Sequence, residues 1–158
     1  MKQRFIETIC CENGTYPLIG LHQERVNRTY ERFYKATAPP LLEQLLPKIE
    51  EKGVFKVRIE YVGSEVTVEY LAYVVKRVHT LQIVHADEMD YSYKYADRAQ
   101  INRHTQTSKA DDIILVKNGF VTDSSYANLA FWDGTHWFTP STPLLRGVKR
   151  SYLLNEGK

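Results

Sequence analysis

A length of 158 residues, with 43% hydrophobic and 25% charged residues, is enough for one globular core or for two small lobes. The net charge of +2 is too small to favour binding to nucleic acid, and the apolar runs are too short to span a membrane. The sequence therefore indicates a protein with neither nucleic-acid nor membrane partners.

The two cysteines, Cys10 and Cys11, are adjacent in the sequence. Because neighbouring residues of a strand point to opposite faces, we expect no disulfide between them. Their spacing matches no metal site, and no metal is expected. No apolar segment follows the first basic residues, so we expect no signal peptide and a cytoplasmic location.

The first 52 residues predict strands followed by helices. Phe5–Cys11 predicts a strand that ends in a turn, and Tyr16–Ile19 predicts a second, short strand. The spacing of apolar and basic residues in Leu21–Phe33 predicts a helix. Pro39–Lys52 also predicts a helix, because proline stands at its start and glycine follows its end, with a kink expected at Pro47.

A hairpin is predicted after these helices. Val54–Val62 and Glu65–Val75 both alternate between apolar and polar residues, and Gly63-Ser64 provides the turn between them. Together with the preceding elements, this hairpin predicts a small α+β lobe that covers residues 1–80.

Residues 81–158 follow a different pattern and predict a second, larger lobe. Asp111–Lys117 contains an apolar run typical of a buried strand, and Asn118-Gly119 is a hairpin turn. The other expected elements are a helix over Tyr95–Thr107, a helix from Val148 onwards, and strands at Leu81–Ala86, Phe120–Thr122, Ala127–Trp132 and Trp137–Thr139. Because no C-cap signal and no strand follow the last helix, we expect this lobe to be incomplete.

Three positions in the second half carry residue types that suit a phosphorylated aldehyde. Lys94 follows an aromatic segment, and a lysine amine can form a Schiff base with an aldehyde. Asp123 offers an acid that can hold a protonated pyridine nitrogen. The segment Gly147-Val148-Lys149 begins a helix, where backbone N–H groups can bind a phosphate. Each residue on its own would equally suit a surface or turn position.

Four blocks of the chain resemble the class IV aminotransferases, in the order in which that family carries them. This is the fold-type IV family of pyridoxal-phosphate enzymes, which includes D-amino acid and branched-chain aminotransferases and 4-amino-4-deoxychorismate lyase. Phe5–Ile9 resembles its F-E-T strand, His22–Arg25 resembles its H-x-x-R helix start, and Lys94 stands at its Schiff-base lysine. The fourth block resembles its N-G-x-V-T-E-x-x-x-x-N, T-P and L-x-G-x-T-R sequences, in turn, at Asn118–Asn128, Thr139-Pro140 and Leu145–Arg150.

The resemblance implies a two-lobed α+β fold of the D-amino acid aminotransferase type, with pyridoxal 5′-phosphate as the cofactor. It implies that Lys94 is the catalytic residue, as covalent anchor and as general base. The implied cofactor-binding residues are Arg25, Lys94, Asp123, Gly147, Val148 and Lys149. By contrast, His22, Asn128 and Thr139 are interpreted as structural.

The family resemblance also implies the reaction class and the assembly. Its members act on an amino acid by transamination or on aminodeoxychorismate as lyases, and the sequence leaves both reactions open. They generally form homodimers, so we expect a homodimer that takes a small amino-acid-type substrate in amino acid metabolism.

The chain departs from the family pattern in the cofactor site. Asp123 stands where the family has glutamate, which makes this acid one methylene shorter. Lys149 stands where the family has threonine, which removes a hydroxyl from the phosphate site. These departures support an alternative hypothesis, in which the protein is catalytically impaired and acts as a ligand-binding or structural partner.

Overall fold

The computed structural model describes residues 2–158, which form two compact units. The first unit holds the residues up to Val75 together with Tyr93–Asp97, and the second holds Lys76–Ser92 together with Arg98–Lys158. Neither unit is continuous in sequence, and the lobe boundary predicted at residue 80 stays a prediction.

The first unit is built on a three-stranded antiparallel sheet. Its strands are β1 (Phe5–Glu12), β2 (Val54–Val62) and β3 (Glu65–Ala72), with β2 in the centre. The predicted strand and hairpin are confirmed, although β3 ends at Ala72 and not at the predicted Val75. Gly63 makes the turn with a φ of 58°, a conformation that glycine adopts without strain. Alternate residues of each strand share a face, which places the apolar positions of β1 and β2 on one side.

The core of this unit lies between the sheet and the helix α1 (Ile19–Phe33). The predicted helix is confirmed and begins two residues earlier than expected. The predicted strand at Tyr16–Ile19 is wrong, because Leu18 adopts a left-handed conformation (φ 67°) as the N-cap residue of α1. The buried core residues are Phe5, Ile9, Cys11, Val26, Tyr30, Tyr34, Leu42, Ile49, Val57, Ile59 and Tyr61.

The predicted helix over Pro39–Lys52 is also wrong in its extent. Only α2 (Leu42–Leu45) is helical, and Leu46 is already extended with a ψ of 131°. Proline has no N–H to donate and disfavours a helical conformation in the residue before it, so Pro47 ends the helix at this point. The carbonyl of Pro47 instead accepts a hydrogen bond from the Tyr16 hydroxyl.

The second unit contains a three-stranded mixed sheet. The strand β4 (Leu81–His85) runs parallel to β5 (Asp112–Lys117), and β6 (Phe120–Ser124) pairs with β5 in the antiparallel direction. The apolar run of β5 places it in the centre of the sheet, where Ile113 and Leu115 are buried. The predicted strands in this region are confirmed.

The remaining elements of the second unit are short. The helix α3 (Ala99–Thr107) begins four residues later than predicted, and the hairpin of β7 (Phe131–Trp132) and β8 (Trp137–Phe138) is shorter than predicted. The helix α4 (Val148–Asn155) begins where the sequence predicted it. Among residues 2–158, no helix combines the length and the hydropathy needed to cross a membrane.

Candidate functional site

A buried ion pair joins β1 to α1 in the first unit. The Glu7 side chain lies on the core face of β1 and has no exposed surface. Its Oε1 accepts from Nε of Arg25 at 2.8 Å, and its Oε2 accepts from Nη2 of Arg25 at 2.5 Å. Nδ1 of His22 lies 2.6 Å from the same Oε2. His22 and Arg25 are three residues apart, so they share the helix face that meets Glu7.

The electrostatics of this cluster favour ionised Glu7. Burial by itself raises the pKa of Glu7, but the charge and hydrogen bonds of Arg25, together with His22, outweigh burial and lower the pKa below its ordinary value. The two-pronged contact also fixes the plane of the Arg25 guanidinium. Arg25 was predicted as a phosphate ligand, and that role stays a prediction.

Sequence reasoning did not identify Glu7 as the partner of Arg25. A signal was nevertheless present, because Glu7 is an acid between Phe5 and Ile9 on the core face of an alternating strand. A charged residue at such a position needs an opposite charge nearby. His22 was interpreted as structural, and its contact with Glu7 fits that interpretation.

Lys94 is half-buried and lies beside the start of β1. Its carbonyl accepts a hydrogen bond from the Ile6 N–H at 2.9 Å, and the Ala96 N–H donates to the carbonyl of Arg4 at 2.9 Å. The aromatic rings of Tyr93 and Tyr95 pack against Phe5, with ring centroids at 6.3 and 5.2 Å. The backbone around Lys94 is therefore held as an extension of the sheet in the first unit.

In the second unit, Asp123 lies near the end of β6 and is 6% exposed. Its Oδ1 accepts from Nδ2 of Asn128 at 2.6 Å, and its Oδ2 accepts from the N–H of Leu145 at 2.9 Å. Burial raises the pKa of Asp123, and the hydrogen bonds from Leu145 and Asn128 only partly oppose this effect. The charge of Arg150 also opposes the effect of burial, but burial remains the larger influence on this carboxyl.

The N-terminus of α4 lies next to the same Asn128. A Cβ atom added at Gly147 would be 1.9 Å from Oδ1 of Asn128, so any larger residue here would displace the Asn128 side chain. No side chain caps the start of α4, where the N–H groups of Val148 and Lys149 have no earlier carbonyl of the helix to bind. Lys149 is exposed, and its Nζ lies 5.1 Å from the centroid of the Tyr152 ring.

A second contact fixes the loop that leads into α4. Nε of Arg150 donates to Oγ1 of Thr139 at 3.0 Å, and its Nη2 donates to the carbonyl of Pro140 at 2.7 Å. The loop is thus held by Arg150 at one place and by Asp123 and Asn128 at another. Thr139 and Asn128, both interpreted as structural from the sequence, take part in these contacts.

In the second unit the structure brings Asp123 close to the start of α4, because Asn128 contacts Asp123 and lies next to Gly147. Lys94 and Arg25 belong to the first unit, and Asp123 and the segment from Gly147 to Lys149 belong to the second. Taken one by one, these groups have the chemistry that a phosphorylated pyridine aldehyde requires. An amine can bind an aldehyde, a buried carboxylate suits a protonated ring nitrogen, and an uncapped helix start with glycine before it suits a phosphate.

Comparison with solved structures identifies the fold. The chain matches a crystal structure described as a provisional 4-amino-4-deoxychorismate lyase from Haemophilus somnus 129PT, with a TM-score of 0.92 and 30% identity, over 100% of this chain and 86% of that chain. A hypothetical aminotransferase from Mycobacterium tuberculosis, in its PLP-bound form, matches with a TM-score of 0.73 and 18% identity, over 98% of this chain and 67% of that chain. The fold is that of the fold-type IV pyridoxal-phosphate enzymes, as the sequence predicted.

Comparison of sequences gives the family. A sequence model described as amino-transferase class IV matches residues 91–158. An uncharacterised protein of Haemophilus influenzae Rd is 40% identical over 157 residues, which covers 96% of this chain and 84% of that protein. The chain belongs to the class IV aminotransferase family, which includes aminodeoxychorismate lyases, and the predicted resemblance is confirmed.

Proposed function

We propose that the protein is a pyridoxal-phosphate-dependent enzyme that acts on an amino-acid-type substrate, by transamination or by the lyase reaction on aminodeoxychorismate. The observation that carries this proposal is the arrangement in the second unit, where the buried carboxylate of Asp123 and the start of α4 at Gly147 share Asn128 as a neighbour. A buried anion and an anion-binding helix start suit the two ends of one phosphorylated pyridine. Membership of the family supports the same proposal.

When bound, pyridoxal phosphate supplies an aldehyde for a covalent link to an amine and a ring that withdraws electrons. In the proposed function, Lys94 provides the amine that anchors the cofactor. Once released by the substrate amine, Lys94 takes and returns the proton at the substrate α-carbon, as general base and acid. The backbone of Lys94 is held beside the sheet by the hydrogen bond from the Ile6 N–H.

Asp123 holds the proton at the ring nitrogen in this proposal. A carboxylate oxygen can accept more than one hydrogen bond, so the bonds from Asn128 and Leu145 leave capacity for a further donor. Burial raises the pKa of Asp123, and a positively charged ring nitrogen would offset the cost of keeping this carboxylate ionised.

The phosphate is bound in this proposal by Arg25 and by the backbone N–H groups at Gly147, Val148 and Lys149. Backbone N–H groups at a helix start attract an anion both as donors and through the helix dipole. Glu7 holds the guanidinium of Arg25 in one orientation through two hydrogen bonds.

We also propose that the protein works as a homodimer. The edge strand β3 exposes apolar side chains, which is unusual for a strand that faces only solvent. These exposed residues are Val68, Tyr70 and Leu71. Sedimentation of the purified protein measures the mass directly, and a monomer at micromolar concentration would contradict this part of the proposal.

Absorbance and chemical trapping test the proposed function. Purified protein with added pyridoxal phosphate should develop a visible absorbance band that Lys94→Ala abolishes. Lys109→Ala, at an exposed lysine, is the matched control and should keep the band. Borohydride reduction followed by peptide mapping should place the cofactor on the peptide that contains Lys94. Trapping on Lys109 or Lys117 would mean that the anchor lies elsewhere.

A second candidate function is a family member that binds a ligand without turnover. It is favoured by the two hydrogen bonds that already engage both carboxylate oxygens of Asp123, and by Lys149 in place of threonine. A protein that stays colourless with pyridoxal phosphate, or that colours but turns over no amino donor and no aminodeoxychorismate, would support this second function.

A further inference from the structure

The side chain of Asn128 connects the end of β6 to the loop before α4. Its Nδ2 donates to Oδ1 of Asp123 at 2.6 Å and to the carbonyl of Leu145 at 2.8 Å. The N–H of Leu145 donates to Oδ2 of Asp123 at 2.9 Å. Asp123, Asn128 and Leu145 are thus joined by hydrogen bonds in a closed triangle, which restrains each of the three groups.

The position of Asn128 is itself fixed by the chain around it. The Ser124 N–H donates to the carbonyl of Ala127 at 2.8 Å, which closes a tight turn. The Ser124 Oγ accepts from the Ala127 N–H at 3.1 Å. This turn sets Asn128 opposite Asp123, and the two residues form an isolated antiparallel bridge.

Only a primary amide of this length meets these contacts. Nδ2 carries two hydrogens, and the structure directs them at two different acceptors. Aspartate has the same shape but would place oxygens against the carboxylate of Asp123 and the carbonyl of Leu145. Glutamine is one methylene longer, and the close approach of Oδ1 to Gly147 leaves no room for that extension.

We propose that Asn128 is a positioning residue that aligns the Asp123 carboxylate and the N-terminus of α4 with the two ends of one phosphorylated pyridine. The inference rests on the proposed function, and it adds a residue that the sequence assigned to structure alone. Loss of Asn128 removes one donor from Asp123 and frees the carbonyl of Leu145. A single substitution should therefore misalign both the Asp123 carboxylate, which contacts the ring nitrogen, and the N-terminus of α4, which contacts the phosphate.

The test compares Asn128→Ala and Asn128→Asp with Asn155→Ala, all in the full chain. Asn155 is exposed at the far end of α4, which makes it a matched control. Three quantities are measured: the Kd for pyridoxal phosphate, the concentration of inorganic phosphate that competes with it, and the pKa of the Asp123 carboxyl by carbon-13 NMR. Thermal unfolding reports whether each variant is folded.

We expect both Asn128 variants to raise the Kd for pyridoxal phosphate by about tenfold to a hundredfold, the usual effect of losing hydrogen bonds to a charged group. Asn128→Ala should also raise the pKa of Asp123, because a donor to its ionised form is gone. A residue that only stabilises the fold would lower the unfolding temperature without raising the Kd of the folded variant. The control should leave the Kd and the pKa unchanged.

The outcomes separate this inference from the proposed function. If wild-type protein binds no pyridoxal phosphate, the proposed function and this inference are both overturned. If wild-type protein binds it and Asn128→Ala matches Asn155→Ala in Kd, only the positioning role is overturned, whether or not the Asp123 pKa moves. If the Asn128 variants do not fold, the wild-type Asn128 side-chain NH₂ signals decide the question. They should shift as Asp123 titrates, and constant signals would overturn the inference.

Discussion

Two buried carboxylates, Glu7 in the first unit and Asp123 in the second, are held by different kinds of partner. Glu7 is 0% exposed and is bound by the guanidinium of Arg25. Asp123 is 6% exposed, and its bonds come from the neutral groups of Asn128 and Leu145. Burial raises the pKa of both acids, but only beside Glu7 is there enough positive charge to reverse the direction.

This difference separates a structural anion from one suited to a ligand. The charge of Glu7 is compensated within the protein, so the carboxylate serves to orient Arg25 and to join β1 to α1. The charge of Asp123 is bound by neutral donors and is only partly offset by the charge of Arg150, so a further cation would stabilise it. We therefore infer that Glu7 mainly stabilises the fold and that Asp123 mainly interacts with a ligand. Mutation of each residue tests its role.

Loss of Glu7 should give the largest effect, on stability. Glu7→Gln removes the negative charge while Arg25 stays buried, and breaking one side of a buried ion pair costs about 3 to 5 kcal/mol. Urea unfolding measures this loss. Glu12→Gln, at an exposed end of the same strand, is the control and should change stability by less than about 0.5 kcal/mol. Equal stability of the two variants would show that the pair contributes nothing.

Loss of Arg25 should weaken cofactor binding. Arg25→Ala removes the partner of a dianion, with an expected cost on the order of 2 to 5 kcal/mol in the free energy of binding. Arg28→Ala, three residues further along α1 on its exposed side, is the control. Titration with pyridoxal phosphate, at a temperature where both variants are folded, measures the two affinities. Equal affinities would restrict Arg25 to its contact with Glu7.

Neutralising Asp123 should mainly affect turnover. Asp123→Asn keeps the shape of the side chain but cannot hold the ring nitrogen protonated, so turnover should fall by about a hundredfold or more. Cofactor binding should be retained because the phosphate contacts remain. Steady-state kinetics with the best amino donor gives the measurement, and unchanged turnover would make Asp123 a residue of the turn only.

The pH dependence of stability should have opposite signs at the two carboxylates. The pKa of Glu7 is lowered from 4.5, so its contribution is present above about pH 4.5 and is lost as the pH falls towards its folded pKa. The pKa of Asp123 is raised from 3.8, so its contribution is present below about pH 3.8 and is lost as the pH rises through its folded pKa.

Urea unfolding between pH 3 and 7 measures the free energy of unfolding of each variant. Each titrating carboxyl can change this free energy by at most about 1.4 kcal/mol per pH unit. Glu7→Gln should be less stable than wild type at neutral pH, and this difference in stability should shrink at low pH. Asp123→Asn should gain stability relative to wild type as the pH rises. If stability relative to wild type changed with pH in the same way for both variants, the proposed difference between Glu7 and Asp123 would be contradicted.

The sequence predicted the elements whose pattern is local. β1, the β2–β3 hairpin and α1 follow directly from the periodicity of their apolar residues. The helix predicted after Pro39 was too long because the leucine pattern continued through Pro47, where the missing N–H ends the helix. The strand predicted before α1 failed because Leu18 takes a left-handed conformation that no pattern in the sequence indicates.

The candidate site was predicted as residue types and not as contacts. Motif resemblance named Arg25 and Asp123, but it gave no partner for either. Their partners are distant in sequence: Glu7 lies on another element, and Leu145 lies in a loop that periodicity does not describe. Long-range contacts of this kind depend on the whole fold, so the sequence signals at most that a buried acid such as Glu7 needs an opposite charge and does not identify Arg25 as its partner.

The segment Tyr93–Asp97 belongs to the first unit although it follows part of the second unit in the sequence. This order has a consequence for synthesis on the ribosome. β1 is made early, yet Ile6 finds its backbone acceptor only when Lys94 has emerged. Translation at about 5 to 20 residues per second makes this delay last several seconds. During that time the nascent chain exposes the edge of β1, so chaperone binding to the growing polypeptide should be strongest before this segment is released from the ribosome.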